Sequence, residues 1–331
     1  MTLYLHGLGH FHPENEITNC FLEDLDIGTD EQWILDRVGI RSRRTVLSLD
    51  YIRETRNLDP SQALEASQYT HAETGVLATE MALDRAGITR DAIGMVIAGS
   101  SRPTFSCPAD ASYIAAALGV EAPAFDMNSA CTIMWVALYM LSNMQPESLP
   151  EYVLVLAPES LTTVVNYNDR SASVLWGDCT AAAIVSARVP SRIQILDNTM
   201  ESSPAGYEKV MVPLFGHFDQ EGRTVQMFAI KKTIRCLRRI QETLPSPGRT
   251  LSFVGHQANL RMLESVCKQC GIDQDQHYNN VVQYGNAGAA GAPSVLSMNW
   301  DAFTDQDDVA VIGVGAGLTW ASFVLRFGGQ L

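Results

Sequence analysis

Apolar runs and amphipathic stretches alternate along most of the chain. Apolar residues at helical spacing predict helices over 72–86, 109–118, 228–244 and 260–270, and glycines 87, 119 and 271 would end three of them. Short apolar runs predict buried strands over 95–100, 123–131, 152–158, 181–186, 251–256, 309–317 and 320–327. This alternation of helices and strands favours an α/β layered fold.

Two further predicted helices, over 132–144 and 287–299, are too apolar or too rich in small residues to lie on a surface. Each follows a turn that carries a reactive or polar residue, one in each half of the chain. We therefore predict two related α/β halves, 1–190 and 191–331, that meet around one site.

Two segments break this alternation. The stretch 47–67 is rich in charge and contains Asp59-Pro60, which predicts a surface insertion in the first half. The stretch 204–223 shows neither the helical nor the strand spacing of apolar residues and is predicted to be a mobile loop.

Composition narrows the functional classes. The 331 residues are 46% hydrophobic and carry a net charge of −14, which fits a globular protein and disfavours nucleic acid or an anionic membrane as partners. No apolar run approaches the roughly 18 residues that span a bilayer, and the first residues do not resemble an export signal, so we expect a cytoplasmic protein. The seven cysteines are predicted to be free thiols, and no spacing of histidines or cysteines predicts a metal site.

Candidate chemistry lies in the turns before the buried helices. Cys131 precedes the apolar helix 132–144, and a helix N-terminus lowers the pKa of a thiol and favours a nucleophilic thiolate. His256 and Asn286 occupy strand-to-helix turns in the second half. Alone, Cys131 would more often be a packed core residue, and His256 or Asn286 a helix cap or a satisfied buried polar group.

Several motifs occur together in one order. They are Ala130-Cys131, His-Gln-Ala-Asn-Leu-Arg over 256–261, Tyr-Gly-Asn-Ala-Gly-Ala-Ala over 284–290, and the matching stretches 31–41, 176–178 and 315–320. In this order the chain resembles the β-ketoacyl-acyl-carrier-protein synthase III enzymes of the thiolase superfamily over nearly its whole length. The resemblance implies a thiolase-like fold, with α-β-α-β-α layers, and a homodimer.

The resemblance also implies a two-step reaction. Cys131 would take an acyl group from a thioester, and a malonyl-type thioester would then lose carbon dioxide and attack that group as an enolate. His256 and Asn286 would donate hydrogen bonds to the enolate oxygen, and the backbone N–H groups of Cys131 and Ala316 would hold the oxyanion of the acyl group. No cofactor is implied beyond coenzyme A or acyl-carrier thioesters as substrates.

Substrate carriers would bind outside the reaction centre. By the resemblance, Trp33 and Arg37 flank the adenine of coenzyme A, Arg170 lies on the opposite loop, and Asn259 lies at the pantetheine tunnel. The alternative for these residues is a buried aromatic ring and ordinary surface polar groups.

A basic run on the predicted helix 228–244 contrasts with the acidic chain. We predict that an acidic acyl carrier protein docks on this run, with Arg261 of the helix 260–270 near it. The docking residues would be Lys231, Lys232, Arg235 and Arg261. A solvated helix face is the alternative.

The acyl pocket departs from the family's pattern at Cys107, Thr132, Met134 and Val314. Smaller groups at Cys107 and Val314 predict a roomier site, and hence a medium, long or specialised acyl primer in fatty-acid or natural-product biosynthesis. Other possibilities are an acyltransferase that moves the acyl group from Cys131 to a hydroxyl or amine, a degradative thiolase, and a silent partner subunit. Asn286 favours condensation over the acyltransferase because an amide cannot act as a base.

Overall fold

A computed structural model of the chain describes residues 2–244 and 248–329. The strands are Leu3–Phe11 (β1), Asn15–Thr18 (β2), Ser42–Thr45 (β3), Ile93–Ala98 (β4), Ala124–Asp126 (β5), Tyr152–Glu159 (β6), Cys179–Ser186 (β7), Ile193–Ser202 (β8), Val210–Met211 (β9), Asp219–Gln220 (β10), Thr250–Gly255 (β11), Asp307–Gly315 (β12) and Thr319–Phe327 (β13). The helices are Asn19–Asp24 (α1), Glu31–Arg37 (α2), Leu49–Thr55 (α3), Ala63–Ala66 (α4), His71–Ala86 (α5), Asp110–Leu118 (α6), Ile133–Ser142 (α7), Arg170–Ser173 (α8), Gly222–Thr243 (α9), Leu260–Cys270 (α10), Val281–Tyr284 (α11) and Gly291–Met298 (α12).

The strand order reads the same outward from the centre of the main sheet. That sheet has the order β11-β12-β13-β8-β1-β7-β6-β4-β5. From β1 the successive pairings to β7, β6 and β4 are antiparallel, antiparallel and parallel. From β8 the pairings to β13, β12 and β11 follow the same sequence of directions. This repetition confirms two related α/β halves, and antiparallel pairing of β1 with β8 joins them into one continuous sheet. The boundary near residue 190 stays a prediction.

Alternating side chains on the strands produce the layers. On β6, Val153 and Val155 pack in the core that contains α7 and α12, whereas Leu154 and Leu156 pack in the core of α5 and α6. The sheet has a first part, formed by β1, β7, β6, β4 and β5, and a second part, formed by β8, β13, β12 and β11. Helix α7 contacts β6, β8 and β13, and α12 contacts β1, β7 and β11, so both helices lie between these two parts. Helices α9 and α10 cover the opposite face of the second part. The predicted layered arrangement is therefore confirmed.

The segment 47–67, which the sequence predicts to be a surface insertion, has exposed charged residues but also packs into the core. It forms α3 and α4, and Leu47, Ile52 and Ala63 are fully buried in the core that also contains α9 and α10. Charged residues lie between these three apolar residues in the sequence, so the apolar spacing was not recognised. The segment therefore supports the interior of the second core.

The segment predicted to be a loop over 204–223 holds a 3-10 turn, Pro204–Lys209, and the short hairpin of β9 and β10. Its contacts hold it against neighbouring segments. Phe218 N donates to Val164 O at 2.9 Å, and His217 Nε2 donates to Asn57 O at 2.7 Å. The segment 204–221 therefore has a defined position over residues 161–165, and we refer to it as the wall segment.

No helix in the described part of the chain is both long enough and apolar enough to cross a membrane.

Candidate active site

The nucleophile candidate lies in a tight turn between β5 and α7. A 3-10 turn, Ala130–Thr132, precedes the helix, and Thr132 N donates to Ser129 O at 3.0 Å. Ala130 has φ +44°, a left-handed conformation that costs a non-glycine residue of order 1–3 kcal/mol. The Thr132 hydroxyl donates to Ser129 O at 2.7 Å and holds this turn closed. The two hydrogen bonds of Thr132 therefore hold a strained turn that places Cys131 at the start of α7.

The end of β12 reaches the same turn. A Cβ placed on Gly315 would lie 3.1 Å from Cys131 N and 3.4 Å from Cys131 Cβ, so the glycine allows a close approach of the two backbones. The next residue, Ala316, lines the cavity beside Cys131. This position is compatible with backbone donors from Cys131 and Ala316, and the oxyanion hole itself stays a prediction.

His256 follows the neighbouring strand, β11. His256 N donates to Ile312 O at 2.8 Å, which places the histidine at the same end of the sheet as Gly315. The residue is buried, and burial lowers the pKa of the ring to about 4. Among the described residues its ring has no hydrogen-bond partner. At neutral pH the imidazole is therefore uncharged, with one N–H donor and one acceptor nitrogen.

Asn286 is held by its backbone and by its own side-chain oxygen. Asn286 N donates to Leu175 O at 2.8 Å, and Asn286 O accepts from Gly177 N at 3.1 Å. Asn286 Oδ1 accepts from Gly288 N at 3.1 Å, so the side-chain NH₂ group is left to donate elsewhere. Trp176, between the two backbone partners, lines the cavity at Cys131.

The fold brings the three turns to one place. The turn Ala130–Thr132 contacts β12, the turn Ala316–Leu318 and the turn Gly288–Ala290 that follows Asn286. A Cβ on Gly291 would lie 3.1 Å from Gln257 Cβ, so the residue after His256 packs against the start of α12. The equivalent turns of the two halves therefore converge, as the sequence predicted.

The surroundings of Cys131 oppose the expected thiolate. Burial, and then the negative charge of Glu159, raise the pKa of the Cys131 thiol to about 12. The sequence argument considered only the helix N-terminus, whereas β12 and the turn Gly288–Ala290, from distant parts of the chain, contact the turn that holds Cys131. The resting thiol is therefore protonated at neutral pH.

This raised pKa predicts how fast Cys131 is alkylated as pH changes. Because only the thiolate reacts, the rate with iodoacetamide should rise about tenfold per pH unit from pH 7 to 10, with no plateau below the pKa. Mass spectrometry of the peptide that contains Cys131 separates this reaction from that of the exposed Cys20. A plateau below pH 9 would show that the thiol ionises more easily than its burial allows.

A cavity of about 90 Å³ lies beside Cys131. It is lined by Ser101, Asn128, Ala130, Cys131, Leu161, Trp176, Val210, Val212, Phe218 and Ala316. It is smaller than the roughly 150 Å³ that holds benzene in an engineered protein cavity, so the expected roomy pocket is not present in this conformation. Three of the apolar wall residues, at 210, 212 and 218, come from the wall segment. The apolar run Val-Met-Val-Pro-Leu-Phe over 210–215 and Phe218 were the available sequence signal within the predicted loop, and it was missed.

The predicted acyl-pocket residues do not line this cavity. Thr132 is fully buried and its hydroxyl bonds Ser129, while Met134 packs in the core between the two parts of the sheet. Val314 packs in the core with α9 and α10. Cys107 is exposed. The prediction for Thr132, Met134 and Val314 is wrong for this cavity, because their side chains point into the packed cores instead. Any role of Cys107 stays a prediction.

The predicted carrier-binding residues are only partly brought together. The Arg170 guanidinium lies 4.9 Å from the centre of the Trp33 ring, and Arg170 Nη1 donates to Gly28 O at 2.5 Å. Arg37 is exposed on α2. Asn259 caps α10, since its Oδ1 accepts from Met262 N at 2.8 Å. A ring from α2 and a guanidinium from α8 are therefore in contact, and adenine binding stays a prediction.

The basic run on α9 is partly neutralised. Arg235 pairs with Glu201 at 3.2 Å, and Arg261 pairs with Glu264 at 3.0 Å. Lys232 Nζ lies 3.6 Å from the centre of the buried Trp320 ring. Lys231 is exposed. The patch is therefore less positive than the sequence alone indicates, and carrier docking stays a prediction.

Comparisons with known proteins agree with this site. The family 3-oxoacyl-[acyl-carrier-protein (ACP)] synthase III matches residues 125–204, which include Cys131. The family of the C-terminal part of the same synthase matches residues 250–327, which include His256 and Asn286. Both regions thus contain the residues that the fold brings together.

The chain is similar to whole proteins as well. A β-ketoacyl-[acyl-carrier-protein] synthase III of Caldanaerobacter subterraneus subsp. tengcongensis is 30% identical over 344 residues, and the alignment covers 97% of this chain and 96% of that protein. The structure of 3-oxoacyl-[acyl-carrier-protein] synthase III from Aquifex aeolicus matches with a TM-score of 0.86 at 25% identity, covering 98% of this chain and all of that one. A priming β-ketosynthase from a polyketide biosynthetic pathway matches with a TM-score of 0.83 at 25% identity, covering 99% and 97% of the two chains.

The fold and site are those of a thiolase-like condensing enzyme. The chain belongs to the β-ketoacyl-[acyl-carrier-protein] synthase III family.

Proposed function

We propose that this protein loads an acyl group onto Cys131 and extends it by decarboxylative Claisen condensation with a malonyl-type thioester. One observation carries the proposal. A single thiol lies in an apolar cavity, beside the turn of an asparagine whose NH₂ group is free to donate. An amide donor stabilises an enolate oxygen without taking a proton, which is what decarboxylation requires.

The acylation step follows from the protonation states. Cys131 must lose a proton to attack a thioester, and the neutral ring of His256 has an acceptor nitrogen without a partner in the described chain. The thiol proton would pass to His256 and then to the leaving thiolate of the carrier. The sulfur becomes acylated, the first carrier leaves as a thiol, and His256 is again neutral.

The condensation step uses the same residues differently. Loss of carbon dioxide from the malonyl group leaves an electron pair that is delocalised onto the thioester oxygen. The His256 N–H and the Asn286 NH₂ group would donate to that oxygen. The carbanion then attacks the acyl carbon, the bond from that carbon to the Cys131 sulfur breaks, and the sulfur leaves as a thiolate that takes up a proton from water to restore the thiol.

Simple acyl transfer to a hydroxyl or an amine is the weaker alternative. That reaction needs a base to take the proton of the acceptor. Condensation needs no such base, because the loss of carbon dioxide itself generates the carbanion. No observation favours this alternative over condensation.

The carriers and the assembly are further parts of the proposal. We infer that coenzyme A and acyl-carrier thioesters are substrates, with no other cofactor, and that the contact of Arg170 with Trp33 supports binding of an adenine. We propose a homodimer because β5 leaves an open sheet edge where Phe125 is exposed. Similarity to a priming β-ketosynthase supports a role in natural-product as well as fatty-acid biosynthesis.

We also propose a medium, long or specialised acyl primer that is admitted when the wall segment moves. The present cavity holds only a short chain, but three of its wall residues belong to a segment whose outer face is exposed to solvent. Phe218 is the buried aromatic residue of this wall, whereas Phe215 is 92% exposed on the same segment. The two phenylalanines provide a matched pair for testing the wall.

The test measures acyl loading by intact-protein mass spectrometry, with acyl-coenzyme A donors from two to about sixteen carbons. Phe218→Ala should increase loading of the longer donors several-fold, because it removes a ring from the cavity wall. Phe215→Ala should load like the wild type. Loading of acetyl alone by the wild type and both variants would overturn the primer proposal, and no acyl adduct with any donor would overturn the proposed function.

A further inference from the structure

Glu159, the last residue of β6, is a carboxylate buried to 1% exposure behind the cavity. It has four hydrogen-bond donors around its two oxygens. Oε2 accepts from Ser101 N at 3.0 Å and from Ser100 Oγ at 3.2 Å, and Oε1 accepts from Ser101 Oγ at 3.1 Å and Ala289 N at 3.2 Å. Two oxygens that each accept two bonds fit a carboxylate and not an amide, which would point its NH₂ group at other donors.

These donors belong to two different parts of the site. Ser101 lines the cavity with Cys131. Ala289 belongs to the turn Gly288–Ala290, and Gly288 N is the donor that orients the Asn286 side chain. Glu159 therefore connects the cavity wall to the backbone that positions Asn286.

The turn is pressed closely against the carboxylate. Gly288 has φ +54°, and a Cβ placed on it would lie 2.9 Å from Glu159 Oε1 and 2.7 Å from Leu161 Cδ1. The backbone of this turn therefore has no room to move toward Glu159. The bond from Ala289 N and the close approach of Gly288 together fix the distance between the turn after Asn286 and Glu159 at the end of β6.

Glu159 also has an electrostatic effect on the nucleophile, since its charge contributes to the raised pKa of Cys131. Burial raises the pKa of Glu159 itself, while the bonds from Ser101 and Ala289 oppose that rise. The other titratable groups that interact with the charge of Glu159 are His71 and Cys179. His71 bonds Asp110 at 2.8 Å and Ser160 at 3.1 Å.

We propose that Glu159 is a positioning residue for condensation, whose carboxylate fixes the Asn286 turn against the Ser101 wall of the cavity. This inference rests on the proposed function, because Asn286 matters for condensation and not for acyl loading. Glu159 does not line the cavity, so it acts through these two segments and not on the substrate.

The test separates the effect of the negative charge of Glu159 from the effect of its side-chain length. Glu159→Gln removes the charge and one acceptor, and Glu159→Asp keeps the charge but shortens the side chain. Both variants should load acyl groups onto Cys131 within about threefold of the wild type and lose about 100-fold in condensation kcat, because a misplacement of about 1 Å has a cost of that order. Alkylation of Cys131 at pH 7 should be several-fold faster in Glu159→Gln, because the negative charge that raises the pKa of the thiol is removed, and should stay unchanged in Glu159→Asp.

Two further variants guard against a simple folding defect. Gly288→Ala keeps Glu159 and every charge but pushes the turn away, so it should behave like Glu159→Asp. Ser160→Ala is the matched control, because its hydroxyl bonds His71 and neither of the two segments, and it should match the wild type in all three measurements. Parallel loss of loading and condensation in the Glu159 variants, or wild-type condensation in them, would overturn the proposal. The alkylation comparison needs no substrate, so it still reports on Glu159 if the protein proves not to condense.

Discussion

Cys131→Ala is expected to leave no acyl group on the protein after incubation with any thioester donor. The loss should exceed about 10⁴-fold, because loading requires a covalent bond to this sulfur and no other group lining the described cavity is a nucleophilic thiol. Intact-protein mass spectrometry measures the adduct directly.

Cys20→Ala is the control for this loss, since Cys20 is an exposed free thiol on α1. It should load like the wild type. An acyl adduct of undiminished amount on the Cys131→Ala protein would place the nucleophile elsewhere and contradict the assignment.

Asn286→Ala is expected to separate the two half-reactions. Acyl loading should remain within a few-fold of the wild type, because the Asn286 amide is not needed for attack on the first thioester. Decarboxylative condensation should fall by about 10²–10³-fold, which is the usual effect of removing one donor to a developing oxyanion. Loading is followed by protein mass, and condensation by the rate of carbon dioxide release.

Asn143→Ala provides a matched control, because Asn143 is exposed to solvent and its side chain bonds only Tyr139 and Ser142 at the end of α7. It should leave both steps unchanged. If Asn286→Ala reduced loading and condensation by the same factor, the residue would support the site as a whole and not the enolate.

The positions of the candidate residues were predictable from the sequence because each of them lies in a local pattern. A thiol before an apolar helix, and a polar residue at the end of an apolar strand, can be located without knowing what packs against them. The repeated order of strands then brings Cys131, His256 and Asn286 to neighbouring turns. Local patterns placed these residues at turns, and the resemblance of the combined motifs to a known family then predicted one site.

The properties of the site that depend on distant segments were not predictable in the same way. The raised pKa of Cys131 arises from burial by several elements and from Glu159, which is separated from it along the chain. The cavity wall comes from the wall segment, and no periodicity shows that residues 210, 212 and 218 face a thiol. These features depend on tertiary contacts that one sequence does not display.

The segment 47–67 illustrates the same limit in the packing of the fold. Its charges predicted a surface position, yet Asn57 is fully buried and its Nδ2 donates to Thr163 O and Val165 O, both at 2.9 Å. Those carbonyls lie beside Leu161, which lines the cavity. The segment thus supports one side of the site, and that role becomes visible only when its partners are known.

A single turnover of preformed acyl-enzyme tests the account most directly. Protein acylated on Cys131 is mixed with a malonyl-loaded acyl carrier protein, and the masses of both proteins and the carbon dioxide released are followed together. We predict that the acyl group leaves Cys131, that the carrier gains a β-ketoacyl group, and that one carbon dioxide is released for each acyl group lost. An acyl group that stays on Cys131 with the malonyl carrier, and leaves only when an alcohol or amine is added, would contradict the account.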